Sequence, residues 1–388
     1  MKIVMLVSNA CRPDPRVEKE AAVLGAAGHE VTIVAWDREG ETAETEQRDR
    51  FVVERVGPRA EYGAGLRSLR SFRRFWGAAA TRAVELEADA IHCHDTDTIL
   101  AGMRAVRALR GRGSAAVLTI DFHELYRVSR MVPQRGLVGV LARAAVDLIE
   151  RRGARAADLV VVANPGTVPH YERIAGSAKL LLVPNAPDME LFRPLECRDP
   201  SPGQLTVMFV GQKRYARTLE VLAEAVQSLP GVRCHLAGGG PDASHVDALA
   251  VRFERVTAEG PVPYSLITER YACADVVYAA YDALVGNVRY TIPGKVLEAM
   301  ACAKPVIVSE GTWAAEYVEE NRVGVAVDAT DPAKLAEALM RLQERPEECR
   351  AMGERGRRIV ETGMNWRDAG ASLVEAYGRL ERVIASRG

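Results

Sequence analysis

Pro293-Gly294-Lys295-Val296-Leu297-Glu298-Ala299-Met300-Ala301-Cys302-Ala303-Lys304-Pro305-Val306-Ile307-Val308-Ser309 is the stretch whose reading decides the fold. A Pro-Gly pair opens an amphipathic helix bearing one carboxylate, Glu298, and an apolar run follows it as a buried strand. A helix opened in this way presents unpaired backbone N–H groups and the positive end of its dipole, a setting suited to a diphosphate. Glu298, one turn further in, is placed to accept hydrogen bonds from sugar hydroxyls. The alternative for this stretch alone is an ordinary helix packed on a sheet, with Glu298 solvated and the helix start satisfied by any partner.

Outward from it, short apolar runs alternate with amphipathic stretches over the whole chain, the pattern of parallel sheets with crossover helices. In the first half, strands are expected at residues 2–8, 30–36, 51–56, 90–94, 116–121, 159–163 and 180–184. In the second half they are expected at 205–210, 232–237, 275–280, 305–309 and 324–327. Asp14-Pro15 and Asp331-Pro332 each supply a capping carboxylate followed by proline at the first helical position. Gly28 suits the end of the first helix. Residues 136–157 read as an amphipathic helix with a basic flank. The Pro-rich, polar segment from Pro184-Asn185-Ala186-Pro187 to Pro202-Gly203 is the expected domain boundary. Each half then reads as an α/β, doubly wound domain, with ligands expected in a cleft at the carboxyl ends of the strands.

Composition narrows the class. With 48% hydrophobic and 27% charged residues the chain is of folded, globular type. A net charge of −1 gives no general attraction for nucleic acid. The seven cysteines, Cys11, Cys93, Cys197, Cys234, Cys273, Cys302 and Cys349, are scattered and form no C-x-x-C pair. Neither a zinc site nor a disulfide framework is expected from them, and they read as small core residues in a reducing compartment. The apolar N-terminal run is too short for a signal peptide, and no run approaches the ~18 residues of a membrane span. A cytoplasmic protein is expected, with a place at the inner face of the membrane left open.

The order and spacing of several motifs resemble the retaining glycosyltransferases of the GT-B fold, the glycogen-synthase-like and mannosyltransferase-like enzymes of glycosyl transferases group 1. These motifs are Gly28-His29-Glu30-Val31-Thr32, Pro184-Asn185-Ala186 with Leu191-Phe192-Arg193-Pro194, Phe209-Val210-Gly211, Leu236-Ala237-Gly238-Gly239-Gly240, the opening stretch, and Asn365-Trp366. The resemblance implies an acceptor-binding Rossmann-like domain at 1–190, with a last helix at 367–388 packing back on it. It implies a nucleotide-sugar-binding domain at 203–365. The implied activity is metal-independent transfer of a sugar with retention, from a nucleotide diphosphate sugar to a saccharide, lipid-linked or natural-product hydroxyl. UDP is the first expectation for the nucleotide and GDP-mannose the next, with no cofactor beyond the donor and no metal site.

The resemblance also assigns residues. Glu298 would grip the ribose, with Pro293, Gly294, Gly211, Lys213, Gly238 and Gly239 around the nucleotide. The family's usual second Glu, eight residues before Glu298, is Tyr290 here, which leaves the donor sugar open. A subset of the family carries Pro-x-Lys before the helix, as Pro293-Gly294-Lys295 does. The arginine that usually follows the glycine is Gln212, and the lysine five residues on is Arg217. Charge builds on the leaving diphosphate, so a cation is needed there, and Arg217 is the expected one, with Lys213, Arg214 and Lys295 as helpers.

In the first half, Ile120-Asp121-Phe122-His123-Glu124-Leu125-Tyr126 follows a buried strand, and the family places a histidine at the position of His123 beside the donor's anomeric carbon. Asp121 or Glu124 would orient the ring or bind acceptor hydroxyls. In His92-Cys93-His94-Asp95-Thr96-Asp97 the two histidines share one face of a strand, and Asp95 reads as a ligand-facing or helix-capping residue. Arg12 or Arg16 would replace the family's glycine-loop contacts to donor phosphates, or serve the acceptor. The segment 66–76 has Leu66, Leu69, Phe72, Phe75 and Trp76 at core spacing, the favoured reading. Peripheral membrane contact is the alternative for it. The change at Tyr290 keeps two other classes open: a nucleotide-sugar epimerase or pseudo-glycosyltransferase of the same fold, and a non-catalytic nucleotide-binding protein.

Overall fold

The computed structural model describes residues 1–61, 66–129, 131–197 and 203–387, with the side chains of 66–68 outside it. The chain divides into two compact units, Met1–Asn185 with Ala369–Gly388, and Ala186–Asp368.

The first unit carries strands β1 (Lys2–Val7), β2 (Glu30–Ala35), β3 (Thr45–Gln47), β4 (Val52–Arg55), β5 (Ala90–His94), β6 (Val117–Phe122), β7 (Leu159–Val162) and β8 (Leu180–Leu182). Its helices are α1 (Pro15–Ala26), α2 (Leu66–Glu85), α3 (Ile99–Gly111), α4 (Gly136–Ala156) and α5 (Val168–Ala175). The sheet order is β3-β4-β2-β1-β5-β6-β7-β8, parallel except where β3 pairs antiparallel with β4. Helices cover both faces of such a sheet, so its inner strands can be apolar without alternation, as in fully buried β7, Leu159-Val160-Val161-Val162.

The second unit runs β9 (Leu205–Val210), α6 (Ala216–Gln227), β10 (Val232–Ala237), α7 (Ala243–Arg252), β11 (Val256–Glu259), α8 (Ile267–Ala272), β12 (Val276–Tyr278) and α9 (Gly294–Ala301). It continues with β13 (Val306–Ser309), α10 (Trp313–Asn321), β14 (Gly324–Val327), α11 (Pro332–Glu344) and α12 (Pro346–Thr362). The last helix, α13 (Trp366–Arg387), belongs to the first unit from Ala369 onward. The sheet is β11-β10-β9-β12-β13-β14, all parallel. Alternate residues of β9 feed opposite cores: Val207 and Phe209 pack with Leu222 and Leu339, while Met208 and Val210 pack with Val296 and Met300.

In each sheet the strand order reverses once, between β1 and β5 in the first unit and between β9 and β12 in the second. Loops leaving neighbouring strands part at such a reversal and open a crevice at the carboxyl ends. The caps act as expected. Asp14 accepts from the Val17 N–H, and Asp331 accepts from the N–H groups of Ala333 and Lys334. Gly28, just past α1, has φ +92°, where a side chain is strained.

Several expectations need correction. β3 and β11 were not expected: each is a short edge strand, Thr45-Glu46-Gln47 is wholly polar, and Val256-Thr257-Ala258-Glu259 alternates over only four residues. In α2, Phe75 is buried against Trp36, but Leu69 is exposed, and Leu66 lies outside the described side chains. Cys197 and Cys273 form a disulfide, 76 residues apart in sequence, where no cross-link was expected. The other five cysteines are free and buried. No helix among the described residues is long and apolar enough to cross a membrane.

One contact fixes the last helix to the first sheet. The Tyr377 hydroxyl of α13 lies 2.8 Å from His92 Nδ1 on β5, and both side chains are fully buried. Losing one partner of a buried hydrogen bond strands the other. Tyr377→Phe should therefore lower unfolding stability by about 1–2 kcal/mol, read as a lower urea midpoint at unchanged slope.

Candidate functional site

The first unit gathers titratable groups at its strand reversal. Asp14 starts α1 so that Arg16, in the first turn, turns inward and is buried. Its guanidinium grips Asp121 at the end of β6 in a two-pronged pair, Nε to Oδ2 and Nη2 to Oδ1, both 2.8 Å. Nη1 donates to the Val183 carbonyl at 2.7 Å and to Asn185 Oδ1 at 3.0 Å, and Nη2 also faces Glu20 Oε1 at 3.0 Å. Arg16 was expected to meet donor phosphates or acceptor, but its donors are spent inside the unit. It is a positioning residue. Asp121, fully buried, likewise offers no oxygen to an acceptor.

What this pair positions is His123. Its Nε2 lies 2.9 Å from Asp121 Oδ2, and its Nδ1 lies 3.2 Å from Asp95 Oδ2. The His123 backbone N–H donates to Asp95 Oδ1 at 3.1 Å. Burial alone would lower the imidazole's pKa, but the Asp95 and Asp121 carboxylates outweigh it and hold the pKa well above 6.5. Asp95 has φ +62°, a strained conformation for a residue with a side chain, and makes no helix-capping hydrogen bond. The capping role expected of it gives way to holding His123. Glu124 follows half-buried, its carbonyl accepting from the Tyr171 hydroxyl at 3.2 Å.

Behind this pair sits one residue the sequence did not single out. Glu20 lies one turn after Arg16 on the buried side of α1, a spacing that signals a paired partner. Burial, then the Asp121 charge, raise its pKa. Glu20, His92, His94 and Asp121 each bring a ligand-type atom within 4.8 Å of the others, a donor set of metal type. Their geometry does not converge: the His92 and His94 rings are stacked, centroids 4.4 Å apart and 13° between planes. Nitrogen lone pairs lie in the ring plane, so in stacked rings they lie in separate, nearly parallel planes. The Arg16 guanidinium already supplies the positive charge, and the group is an ion-pair and hydrogen-bond network.

The second unit builds a different arrangement at its own reversal. Gly211 ends β9 at φ +134°, and a Cβ there would stand 3.3 Å from Lys295 Nζ. A Cβ on Gly238, after β10, would fall 1.8 Å from the Gly211 carbonyl oxygen, so bare backbone is required where the strands meet. Gly239 adjoins Pro261 in the same turn. Pro293 stands at the start of α9 with no side-chain cap, and Gly294 is its first residue. Lys295 turns inward over the Phe209 ring, Nζ 3.5 Å from the centroid, with Tyr281 at 5.2 Å. Its ammonium is buried and has no hydrogen-bond partner among the described residues. Burial pushes its pKa down to about 7, against a smaller upward pull from Glu298. Glu298 Oε2 accepts from the buried Tyr271 hydroxyl at 2.9 Å.

Two expected phosphate cations are placed otherwise. Arg217, expected at the leaving diphosphate, is 63% exposed and turns along α6 to Glu220 at 2.9 Å and Glu224 at 3.5 Å. Lys213 is fully buried, pairs with Asp247, and donates to the Glu259 carbonyl at 2.7 Å. It bolts the loop after β9 to β11 and α7.

Known proteins share this organisation. The model of the glycosyl transferase 4-like domain matches residues 13–186, and that of glycosyl transferases group 1 matches residues 204–345. The GDP-mannose-dependent alpha-(1-6)-phosphatidylinositol dimannoside mannosyltransferase of Mycobacterium tuberculosis (strain ATCC 25177 / H37Ra) is 25% identical over 378 residues, 94% of this chain and 91% of that protein. The D-inositol 3-phosphate glycosyltransferase of Mycobacteroides abscessus is 30% identical over 185 residues, 45% of this chain and 39% of that one. Among solved structures, sucrose-phosphate synthase from Thermosynechococcus elongatus aligns over 98% of this chain and 100% of that one, with TM-score 0.78 at 19% identity. HepE of Anabaena in complex with UDP-glucose aligns over the same shares, with TM-score 0.71 at 16% identity. Fold and family models together define a glycosyltransferase of the GT-B class. Within that class, residues 204–345 carry the group 1 glycosyl transferase domain and residues 13–186 the glycosyl transferase 4-like domain.

His123 should be an imidazolium throughout the neutral range. The stability it contributes is fully present below its unfolded pKa and is lost only as pH rises through the higher folded value. Imidazole NMR shifts should therefore report the charged ring at about pH 7.5, and Asp95→Asn should move the titration downward. A free imidazole near 6.5 in the wild type would contradict this geometry.

Proposed function

We propose that this chain is a retaining, metal-independent transferase that moves a sugar from a nucleoside diphosphate sugar to a hydroxyl acceptor. It needs no cofactor beyond the donor. The nucleotide diphosphate binds the second unit and the acceptor binds the first. The observation that carries the reading is Lys295: a buried ammonium without a hydrogen-bond partner among the described residues, beside a side-chain-free Gly211 and at the uncapped start of α9. Burying an unanswered cation is costly, and an anion at this place would repay it. A diphosphate fits, since the helix start and the ammonium favour the same negative charge.

In this reading Lys295, not Arg217, stabilises the charge that builds on the leaving diphosphate. Glu298, half-buried and steadied by Tyr271, accepts from the ribose hydroxyls. His123, with both ring nitrogens held by Asp95 and Asp121, acts in the first unit as a fixed positive charge and not as a base. Retention then leaves a phosphate oxygen of the departing diphosphate to take the acceptor's proton. Relatives that span most of the chain are named for GDP-mannose, so GDP stands ahead of UDP as the nucleotide to test.

A nucleotide at ~100 times its dissociation constant should add roughly 2.7 kcal/mol of stability, a clear rise in melting midpoint. GDP or UDP should produce that rise in the wild type, and Lys295→Met and Glu298→Ala should lose most of it. At about pH 8 the free Lys295 is largely neutral, so anion binding should take up close to one proton, measured by calorimetry in buffers of different ionisation enthalpy. Lys295→Met should abolish the uptake. No stabilisation by any nucleoside diphosphate would remove the reading.

A further inference from the structure

We infer that the outward face of α4 is a membrane-docking surface that takes an anionic bilayer. The helix carries its amphipathy outward. Leu137 is 75% exposed, Leu141 62% and Leu148 49%, and Met131, just before the helix, is 67% exposed. At 3.6 residues per turn Leu137, Leu141, Ala144 and Leu148 follow one stripe, and Val138 and Val140 flank it, both exposed. A helix on a water-facing surface ordinarily shows the reverse pattern. The inward side of α4 is made of small or paired groups. A Cβ on Gly153 would stand 2.6 Å from Ile99 of α3, and Glu150 accepts from the Thr96 hydroxyl at 2.7 Å. That side is already packed, so the leucines have no place in the core of this unit.

Charge selects the occupant. Beyond Leu148 the same stripe continues as Arg151, Arg152 and Arg155, all exposed, and Arg135 stands exposed before the helix. The acids of the helix are not available to balance them: Glu150 is buried, and Asp147 pairs with Arg127 at 3.2 Å. An apolar stripe ending in arginines matches a surface with acyl chains beneath and anionic headgroups above. A second copy of the chain, docked through the same face, would bring like charges toward each other. The inference stands on the first unit alone and does not depend on which nucleotide binds the second.

The test is co-sedimentation of the full chain with vesicles of phosphatidylcholine alone and of phosphatidylcholine with phosphatidylglycerol. The wild type should pellet with the anionic vesicles and far less with the neutral ones, and added salt should weaken the binding. The double variant Leu137→Asp with Leu141→Asp should stay in solution while keeping its melting midpoint, since both side chains are outside the core. Arg151→Ala should weaken binding about fivefold, as expected for one basic residue near such a surface. Two results would overturn the inference: anionic vesicles that fail to bind the wild type, or a double variant that binds as the wild type does. A concentration-dependent dimer in sedimentation velocity, dissolved by the double variant, would assign the face to self-association instead.

Discussion

A cation taken out of water has to be answered by something nearby, and both units of this enzyme bury one where their strand order reverses. In the first unit the answer is complete. Arg16 spends its donors on Asp121, Val183 and Asn185 and faces Glu20, which ties α1 to the end of β6 and to the chain leaving β8. That fixed carboxylate, with Asp95, sets the place and charge of His123. In the second unit the answer is withheld. Lys295 rests its ammonium over Phe209 with no hydrogen-bond partner among the described residues, a weak compensation for lost water. A saturated cation is architecture, and the unsaturated one is what the proposed diphosphate site rests on.

The difference explains how far the sequence could be read. Parallel sheets, caps at Asp14 and Asp331, and the helix that carries Lys295 and Glu298 follow from local patterns: apolar runs, Asp-Pro pairs and a Pro-Gly helix start. Edge strands β3 and β11 were invisible because an edge needs little apolar surface, and Thr45-Glu46-Gln47 has almost none. The disulfide between Cys197 and Cys273 joins positions that only the folded second unit brings together.

Side-chain direction was the harder problem. Arg217 and Lys213 both follow β9 at plausible spacing for a phosphate. In the fold Arg217 turns outward to Glu220 and Glu224, and Lys213 inward to Asp247 and the Glu259 carbonyl. Arg16 was expected to meet a ligand, but four of its N–H groups meet protein acceptors that lie more than a hundred residues away in sequence, and Nη2 also faces Glu20 one turn on. Which partner claims a long cationic side chain is settled by tertiary contacts, and periodicity carries no record of them. The leucines of α4 show the same limit: their spacing gives a helix, and only the fold shows which side of it faces out.

The most direct measurement is a crystal structure with a bound nucleoside diphosphate. The account predicts a phosphate oxygen about 2.7–2.9 Å from Lys295 Nζ, at the start of α9, with the ribose on Glu298. A diphosphate bound elsewhere, with the ammonium still resting on Phe209, would contradict it.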